Sequence, residues 1–216
     1  MELGIVGLGR MGANMARRLM RDGHEIVAYD VNPEAVSQLA GAGAEAASSL
    51  EEMASKLSAP RSVWIMVPAG EITEQTVDAV AAVLESGDAI VDGGNSYYRD
   101  DIRRAAKVGE RGIDYVDCGT SGGVFGLERG YCLMIGGPDG AVQRQLPVVS
   151  GPALRRHHRH PDAGGDAMGV KLPGNAAPDA EIARPEAGDD YRNHDQDVIM
   201  RVAIWHRMAP LSTRRA

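Results

Sequence analysis

The chain has 216 residues, enough for one full α/β domain with a further segment, and carries a formal net charge of -7. This acidic balance gives no electrostatic support for a general role in binding nucleic acid or a membrane surface. The first predicted strand follows the initiator methionine almost at once, and no apolar run approaches the roughly 20 residues of a membrane helix. We therefore expect a cytoplasmic protein without a targeting segment.

The first predicted elements are a short apolar strand over residues 3–6, a glycine turn and a helix that reaches Arg21. The turn has the spacing G-x-G-x-x-G, with Gly7, Gly9 and Gly12. In a dinucleotide site the first glycine permits the turn, the second admits the pyrophosphate and the third lets helix and strand pack closely. The helix amino terminus then faces the phosphates with its N–H groups.

A second strand, over residues 25–29, ends in Asp30, about twenty residues after the glycines. This is where a dinucleotide site places a carboxylate for the adenosine ribose hydroxyls. Asp30 would also repel a 2′-phosphate, and the next residue, Val31, is not an arginine that could neutralise one. The pattern therefore favours NAD, with NADP as the less favoured cofactor.

Helices and strands continue to alternate after Asp30, which predicts an α/β fold with a doubly wound, mostly parallel sheet of the Rossmann type. We expect Arg103 and Arg104 to form solvated surface on one of these helices. The further elements are a helix from Pro33, a helix at 49–57 with a Ser49-x-x-Glu52 capping box, a strand at 62–67, a helix at 73–84, a strand at 89–92, a helix at 100–111, strands at 114–118 and 131–135, and a helix from Asp139 that Pro147 interrupts.

Glycine and small polar residues follow several of these strands, at the sheet edge where open parallel sheets bind ligands. The segments are Val67-Pro68-Ala69, Gly93-Gly94-Asn95-Ser96 and Ser121-Gly122-Gly123. The second and the third could each be an ordinary turn. Their common position predicts that they assemble one site, in which Ser121-Gly122-Gly123 presents N–H groups to an anionic substrate.

Cys118 and Cys132 lack the spacing of a disulfide framework or a metal site, so we interpret both as buried thiols in a reducing compartment. The adjacent His157 and His158 lack a partner at ligand spacing, and no metal site is predicted.

With these residues placed, the chain resembles the 6-phosphogluconate dehydrogenase family, in particular its shorter, NAD-preferring bacterial type within the β-hydroxyacid dehydrogenases. The resemblance covers residues 1 to about 146. It rests on Gly7 to Gly12 with Asn14 and Arg17-Arg18-Leu19, Tyr29-Asp30, Met66 to Gly70, Asp92 to Tyr98, Gly119 to Gly123, and Glu128 to Met134.

The resemblance implies an NAD-dependent, decarboxylating oxidation of 6-phosphogluconate to ribulose 5-phosphate in gluconate metabolism and the pentose phosphate pathway. A lysine acts as the base and a carboxylic acid later donates a proton, without a metal. Substrate contacts are implied for Asn95, Ser121, Gly122 and Gly123. The expected cofactor contacts are Gly7, Leu8, Gly9, Arg10, Met11, Gly12, Asp30, Val31, Asn32, Val67, Pro68, Ala69 and Asn95.

The chain departs from the family pattern after about Leu146, where the family has a helical domain that supplies the catalytic lysine and the homodimer surface. Residues 1–150 have a net charge of -8 and residues 151–216 a net charge of +1, and five of the six histidines lie in the latter. Lys171 matches the family's Lys-x-x-x-Asn only by spacing, because Pro173-Gly174 would break the helix. It is therefore not assigned as the base, and the catalytic residues stay unknown.

We predict a dinucleotide-binding domain over residues 1–148 and an irregular tail, with disorder as one alternative, over 149–216. One hypothesis for the tail is an alternate reading frame of a longer gene. Two interpretations of function stay open. The first is a truncated, catalytically impaired 6-phosphogluconate dehydrogenase or related β-hydroxyacid dehydrogenase acting on a small sugar-acid phosphate, and the second is a non-catalytic dinucleotide-binding module.

Overall fold

The computed structural model describes residues 1–149, in which seven strands form one sheet between two layers of helices. The strands are β1 (Glu2–Val6), β2 (Glu25–Tyr29), β3 (Glu45–Ala46), β4 (Ser62–Ile65), β5 (Ala89–Asp92), β6 (Asp114–Ser121) and β7 (Cys132–Gly136). The helices are α1 (Arg10–Arg21), α2 (Pro33–Ala40), α3 (Leu50–Lys56), α4 (Glu71–Val83), α5 (Tyr98–Gly109), α6 (Gly126–Arg129) and α7 (Asp139–Val149). A 3-10 turn, Gly123–Phe125, precedes α6. The predicted tail from residue 150 onward, with Lys171, His157 and His158, lies outside the described residues.

The strands lie in the order β3-β2-β1-β4-β5-β6-β7, and all neighbours are parallel except β6 and β7. The predicted doubly wound, mostly parallel sheet is therefore confirmed for the described residues. Strands β2 and β3 lie on one side of β1, and the chain then returns so that β4 pairs with the other side of β1. This reversal opens a crevice beyond the carboxyl ends of β1 and β4, where such sheets bind their ligands.

Each sheet face has its own apolar core. On one face Leu19 of α1, Leu39 of α2 and Val142 of α7 pack against the strands, and on the other Met53 of α3, Val80 of α4 and Val108 of α5 do so. All six side chains are buried. The apolar residues at helical spacing are the ones that face the sheet, as the sequence pattern predicts.

Two local predictions need correction. Pro147 does not interrupt the last helix, because α7 continues through it to Val149. The proline is exposed while Val148 and Val149 are buried, so packing of the last turn compensates for the backbone hydrogen bond that proline cannot donate. At α3, Ser49 Oγ accepts from Glu52 N–H as predicted, but the Glu52 carboxylate accepts from Ser48 rather than from Ser49.

Candidate functional site

The glycine turn between β1 and α1 has the tight packing that its spacing predicts. Gly7 has φ of +92°, a conformation that favours glycine, and its N–H donates to Tyr29 O at 3.0 Å. A Cβ on Gly12 would lie 2.0 Å from Gly7 O, so only glycine lets α1 approach the turn this closely. A Cβ on Gly9 would meet no atom within 4 Å, which leaves open space at the start of α1.

The carboxylate of Asp30 lies directly against this turn. Its Oδ2 accepts from the Leu8 N–H at 2.5 Å, and its Oδ1 accepts from the Asn32 N–H at 2.8 Å. Asn32 in turn caps α2, and Val31 is 89% exposed at the edge. Asp30 thus lies at the glycine turn, the position that its spacing from the glycines predicts.

The loops that follow β4 and β5 continue this edge of the sheet. A Cβ on Gly7 would lie 2.5 Å from Met66 O, and a Cβ on Gly94 would lie 3.3 Å from Val67 O. Gly93 covers Trp64, whose buried Nε1 has no hydrogen-bond partner within residues 1–149. The glycine turn, the Val67 loop and the loop that carries Asn95 are therefore neighbours. Pro68, Ala69 and Asn95 are exposed along them.

The Ser121-Gly122-Gly123 segment lies at the end of β6, and the residues that follow it contact α1. Ser121 is the last residue of β6, so this segment begins inside a strand rather than entirely in a loop. Gly122 packs closely against the Tyr131 ring, because a Cβ on Gly122 would lie 2.8 Å from Tyr131 Cδ1. The following 3-10 turn and α6 pack against α1, and Arg18 Nη1 donates to Leu127 O at 2.7 Å.

Arg104 is buried, with 2% of its surface exposed, which corrects the expectation that it lies in solvent with Arg103. Its guanidinium donates from Nε to Glu74 Oε2 at 2.9 Å and from Nη1 to Ser96 Oγ at 3.2 Å. Arg103 is exposed and binds the same Glu74 through both terminal nitrogens. Hydrogen bonds from Arg103, reinforced by Arg104, lower the pKa of Glu74 to about 2.

Three further polar groups are buried around Arg104. Tyr115 OH lies 2.8 Å from Asp92 Oδ2 and 3.0 Å from Asp101 Oδ1. A phenol carries one proton, so both contacts are hydrogen bonds only when one carboxyl group is protonated and donates. Burial raises the pKa of Asp101 to about 6, which makes it the acid that holds this proton at mildly acidic pH.

Residues 1–149 contain two lysines, and both pair with carboxylates away from these strand ends. Lys56 Nζ lies 2.8 Å from Glu52 Oε1, and Lys107 Nζ lies 2.6 Å from Asp78 Oδ1. The described part of the chain therefore places no amine beside Asn95 or Ser121.

The residues at the β1 and β2 ends fit a dinucleotide. The start of α1 has neither a side-chain cap nor an acidic residue in its first turn, and the space beside Gly9 is open. An anion can thus approach the helix N–H groups, while Asp30 offers acceptors to hydroxyl groups. Arg10 and Met11 begin the helix there.

The remaining predictions concern the two cysteines, a metal site and a membrane helix. Cys118 is a buried free thiol as expected, but Cys132 is only partly buried. Within residues 1–149, no group of three or more His, Cys, Asp or Glu side chains is placed to hold a metal ion. None of the described helices is long and apolar enough to cross a membrane.

Residues 2–154 match the family model described as the NAD binding domain of 6-phosphogluconate dehydrogenase, a match that extends somewhat beyond residue 146. The NAD(+)-dependent, decarboxylating 6-phosphogluconate dehydrogenase of Haloferax volcanii is 41% identical over 173 residues, which cover 80% of this chain and 57% of that protein. The decarboxylating 6-phosphogluconate dehydrogenase of Haemophilus ducreyi is 39% identical over 68% of this chain and 32% of that protein. The chain thus spans little more than half of the first relative and about a third of the second.

Two solved structures share the fold. The 3-hydroxyisobutyrate dehydrogenase of Mycobacterium tuberculosis aligns with a TM-score of 0.65 and 27% identity, over 71% of this chain and 52% of its own. The 6-phosphogluconate dehydrogenase of Plasmodium falciparum, solved with NADP+ and with 6-phosphogluconate, aligns with a TM-score of 0.64 and 26% identity, over 69% and 33%.

Proposed function

The chain belongs to the family defined by the NAD binding domain of 6-phosphogluconate dehydrogenase, and from that premise we propose that its strand ends bind NAD for oxidation of a phosphorylated sugar acid. The family membership confirms the resemblance inferred from the motifs, and it confirms NAD as the cofactor type. The two relatives and the two solved structures described above are dehydrogenases.

One observation carries the cofactor part of the proposal: the Asp30 carboxylate lies on the Leu8 N–H of the glycine turn, beside the open space at Gly9. A carboxylate here accepts the ribose hydroxyls of NAD and repels the 2′-phosphate of NADP. The pyrophosphate then lies at the start of α1, with Gly7 to Gly12 and Val31 and Asn32 around the adenosine half. The nicotinamide half extends over Val67, Pro68 and Ala69 toward Asn95.

The substrate lies, in this proposal, between Asn95 and the segment of Ser121, Gly122 and Gly123. Bound NAD supplies a hydride acceptor. The exposed hydroxyl of Ser121, the N–H groups of Gly122 and Gly123 and the exposed amide of Asn95 hold the carboxylate and hydroxyl groups of a hydroxy acid in front of it. The 41% identity to the Haloferax enzyme favours 6-phosphogluconate as this acid.

A related β-hydroxyacid is the second candidate substrate. The fold aligns equally well with the 3-hydroxyisobutyrate dehydrogenase and with the Plasmodium enzyme, so the sheet does not discriminate between the two acids. An assay of both acids in parallel separates them.

The family resemblance implies a lysine as the base, and both lysines of residues 1–149 pair with carboxylates away from these strand ends. General acid-base catalysis typically contributes about 10²- to 10⁴-fold. We therefore propose that this chain alone binds NAD and turns over 6-phosphogluconate slowly or not at all, as a non-catalytic dinucleotide module would.

The test is calorimetric titration of NAD and NADP into the protein and into the Asp30→Ala variant. We expect NAD to bind more tightly than NADP, and the variant to bind NAD about ten- to a hundredfold more weakly, as expected for hydrogen bonds to a charged group. The variant should also lose most of its preference for NAD.

The matched control is Glu34→Ala, which removes an exposed carboxylate in the next helix and should leave both affinities unchanged. Thermal melts of both variants check that they remain folded. Absence of NAD binding by the unaltered protein contradicts the proposal. NADH formation with 6-phosphogluconate would instead contradict the proposed lack of turnover and make Lys171→Ala the next variant to assay.

A further inference from the structure

The buried Arg104 connects three segments that surround the nicotinamide end of the proposed site. It binds Glu74 in α4 and Ser96 after β5, and its Nη2 lies 3.5 Å from Gly70 O in the loop after β4. It also lies 3.5 Å from Asp92 Oδ2 at the end of β5. One side chain on α5 therefore contacts both the loop after β4 and the loop after β5.

Asp92 binds the residues on both sides of Asn95. Its Oδ1 accepts from the Gly94 N–H at 2.9 Å, and its Oδ2 accepts from the Ser96 hydroxyl at 2.8 Å. Asn95 itself is exposed, while its two neighbours are held by a carboxylate that is 1% exposed. The exposed Asn95 thus lies between two residues that are both hydrogen-bonded to the buried Asp92.

Stability alone does not account for this arrangement. A buried cluster of Arg104, Asp92, Asp101 and Tyr115 requires the desolvation of several charged groups, and well-packed apolar side chains in such places are often as stable or more so. What a fixed guanidinium and carboxylate do provide is a defined direction for each hydrogen bond.

We propose that Arg104, Asp92 and Ser96 act together as positioning residues that hold Asn95 and the Val67-to-Gly70 loop in the geometry that receives the nicotinamide half of NAD. The inference rests on the proposed function, in which the adenosine half lies at Asp30 and the dinucleotide extends across β1 and β4 toward β5. Preorganised loops lose little conformational freedom when the ligand binds, and this increases affinity without a new contact.

The experiment compares two probes, NAD and ADP-ribose, which share the adenosine and pyrophosphate groups but differ in the nicotinamide. Both are titrated into the full chain and into Ser96→Ala and Arg104→Lys. We expect both variants to bind NAD about three- to tenfold more weakly, the contribution of about one net hydrogen bond. Their affinity for ADP-ribose should stay within about twofold of the original value, since a factor of two is only about 0.4 kcal/mol.

Arg103→Ala is the matched control, because Arg103 lies next to Arg104 and binds the same Glu74 but is exposed. It should leave both affinities unchanged. Ser96→Ala removes one hydroxyl and keeps every charge of the cluster, so it tests the proposal even if Arg104→Lys fails to fold.

The outcomes separate this inference from the proposed function. If the unaltered chain binds neither probe, the proposed function fails. If it binds both and Ser96→Ala weakens NAD and ADP-ribose equally, or weakens neither, the positioning role is overturned. A selective loss of NAD affinity supports it, and a purely structural role would not produce that selectivity.

Discussion

Two glycines of the turn have such different surroundings that their substitution should separate folding from binding. Gly9 has φ of -59° and free space where a Cβ would lie, so Gly9→Ala should unfold at the same urea concentration as the original protein. Its methyl group would occupy the space of the pyrophosphate, and NAD affinity should fall at least about tenfold.

Gly12→Ala is the contrasting variant. Its Cβ would lie 2.0 Å from Gly7 O, so α1 must shift, and we expect a loss of about 1–3 kcal/mol in the free energy of unfolding. Urea titrations monitored by circular dichroism, with calorimetry for NAD, measure both effects. Unchanged NAD affinity in Gly9→Ala would mean that no pyrophosphate lies there.

Arg18 joins helix α1 to the segment after β6, which makes the contribution of this contact to the segment's stability testable. Arg18 is 8% exposed, and its bond to Leu127 O joins α1 to α6. Arg18→Met keeps an apolar stem but removes that hydrogen bond. We expect amide hydrogen exchange over residues 121–130 to become at least about tenfold faster, since a hydrogen bond from a charged donor contributes about 1.5–3 kcal/mol.

Arg17→Met is the control for this prediction, because Arg17 is the adjacent residue of α1 and its Nη1 contacts Asn14 within the same helix. It should leave exchange over residues 121–130 unchanged. Equal protection in Arg18→Met would show that packing on Tyr131, and not this bond, holds the segment.

The order of elements was predictable from sequence because local patterns determine it. The apolar positions at 3.6-residue spacing that predict α4 are buried, and those that predict α1 are buried or partly buried. The short apolar runs became β1, β2, β4 and β5. Strand β3 has two residues and no periodicity that could reveal it. The antiparallel direction of β7 depends on its pairing with β6, which periodicity does not encode.

The burial of Arg104 could not be predicted for a similar reason. A double arginine on a charged helix predicts solvent exposure, yet the partner that pairs with Nε of Arg104, Glu74, is 30 residues distant in sequence. The Asp30 contact was predictable, because the glycine motif and the acid after the second strand have a fixed spacing. Site features that arise within one βαβ unit can be inferred from sequence, whereas those that join several units need the structure.

At the scale of the whole molecule, the buried acids should give the protein a distinct dependence of stability on pH. Desolvation raises the pKa of Asp101 from 3.8 in model compounds to about 6, with Tyr115, Asp117, Asp92 and Arg104 as the groups that face it. The folded state therefore binds this proton more tightly than the unfolded state. The resulting stabilisation is complete below the unfolded pKa and is lost as the pH rises through about 6.

Asp101→Asn mimics the protonated acid and cannot ionise, so it should change the pH dependence and not only the stability. From pH 4 to pH 7, the free energy of unfolding of the variant should rise relative to the original protein by roughly 2.4 kcal/mol, which is most of the value of about two pKa units because pH 4 already lies just above the unfolded pKa. The pKa of Glu74 is lowered in the folded state, so its contribution to stability increases as the pH rises toward its unfolded pKa. The pKa of His24 is lowered mainly by burial, and its contribution likewise increases with pH near pH 6. Both contributions are present in the two proteins and cancel in the difference. Urea unfolding at half-unit pH steps gives that difference, and a constant value across the range would mean that folding does not raise the pKa of Asp101.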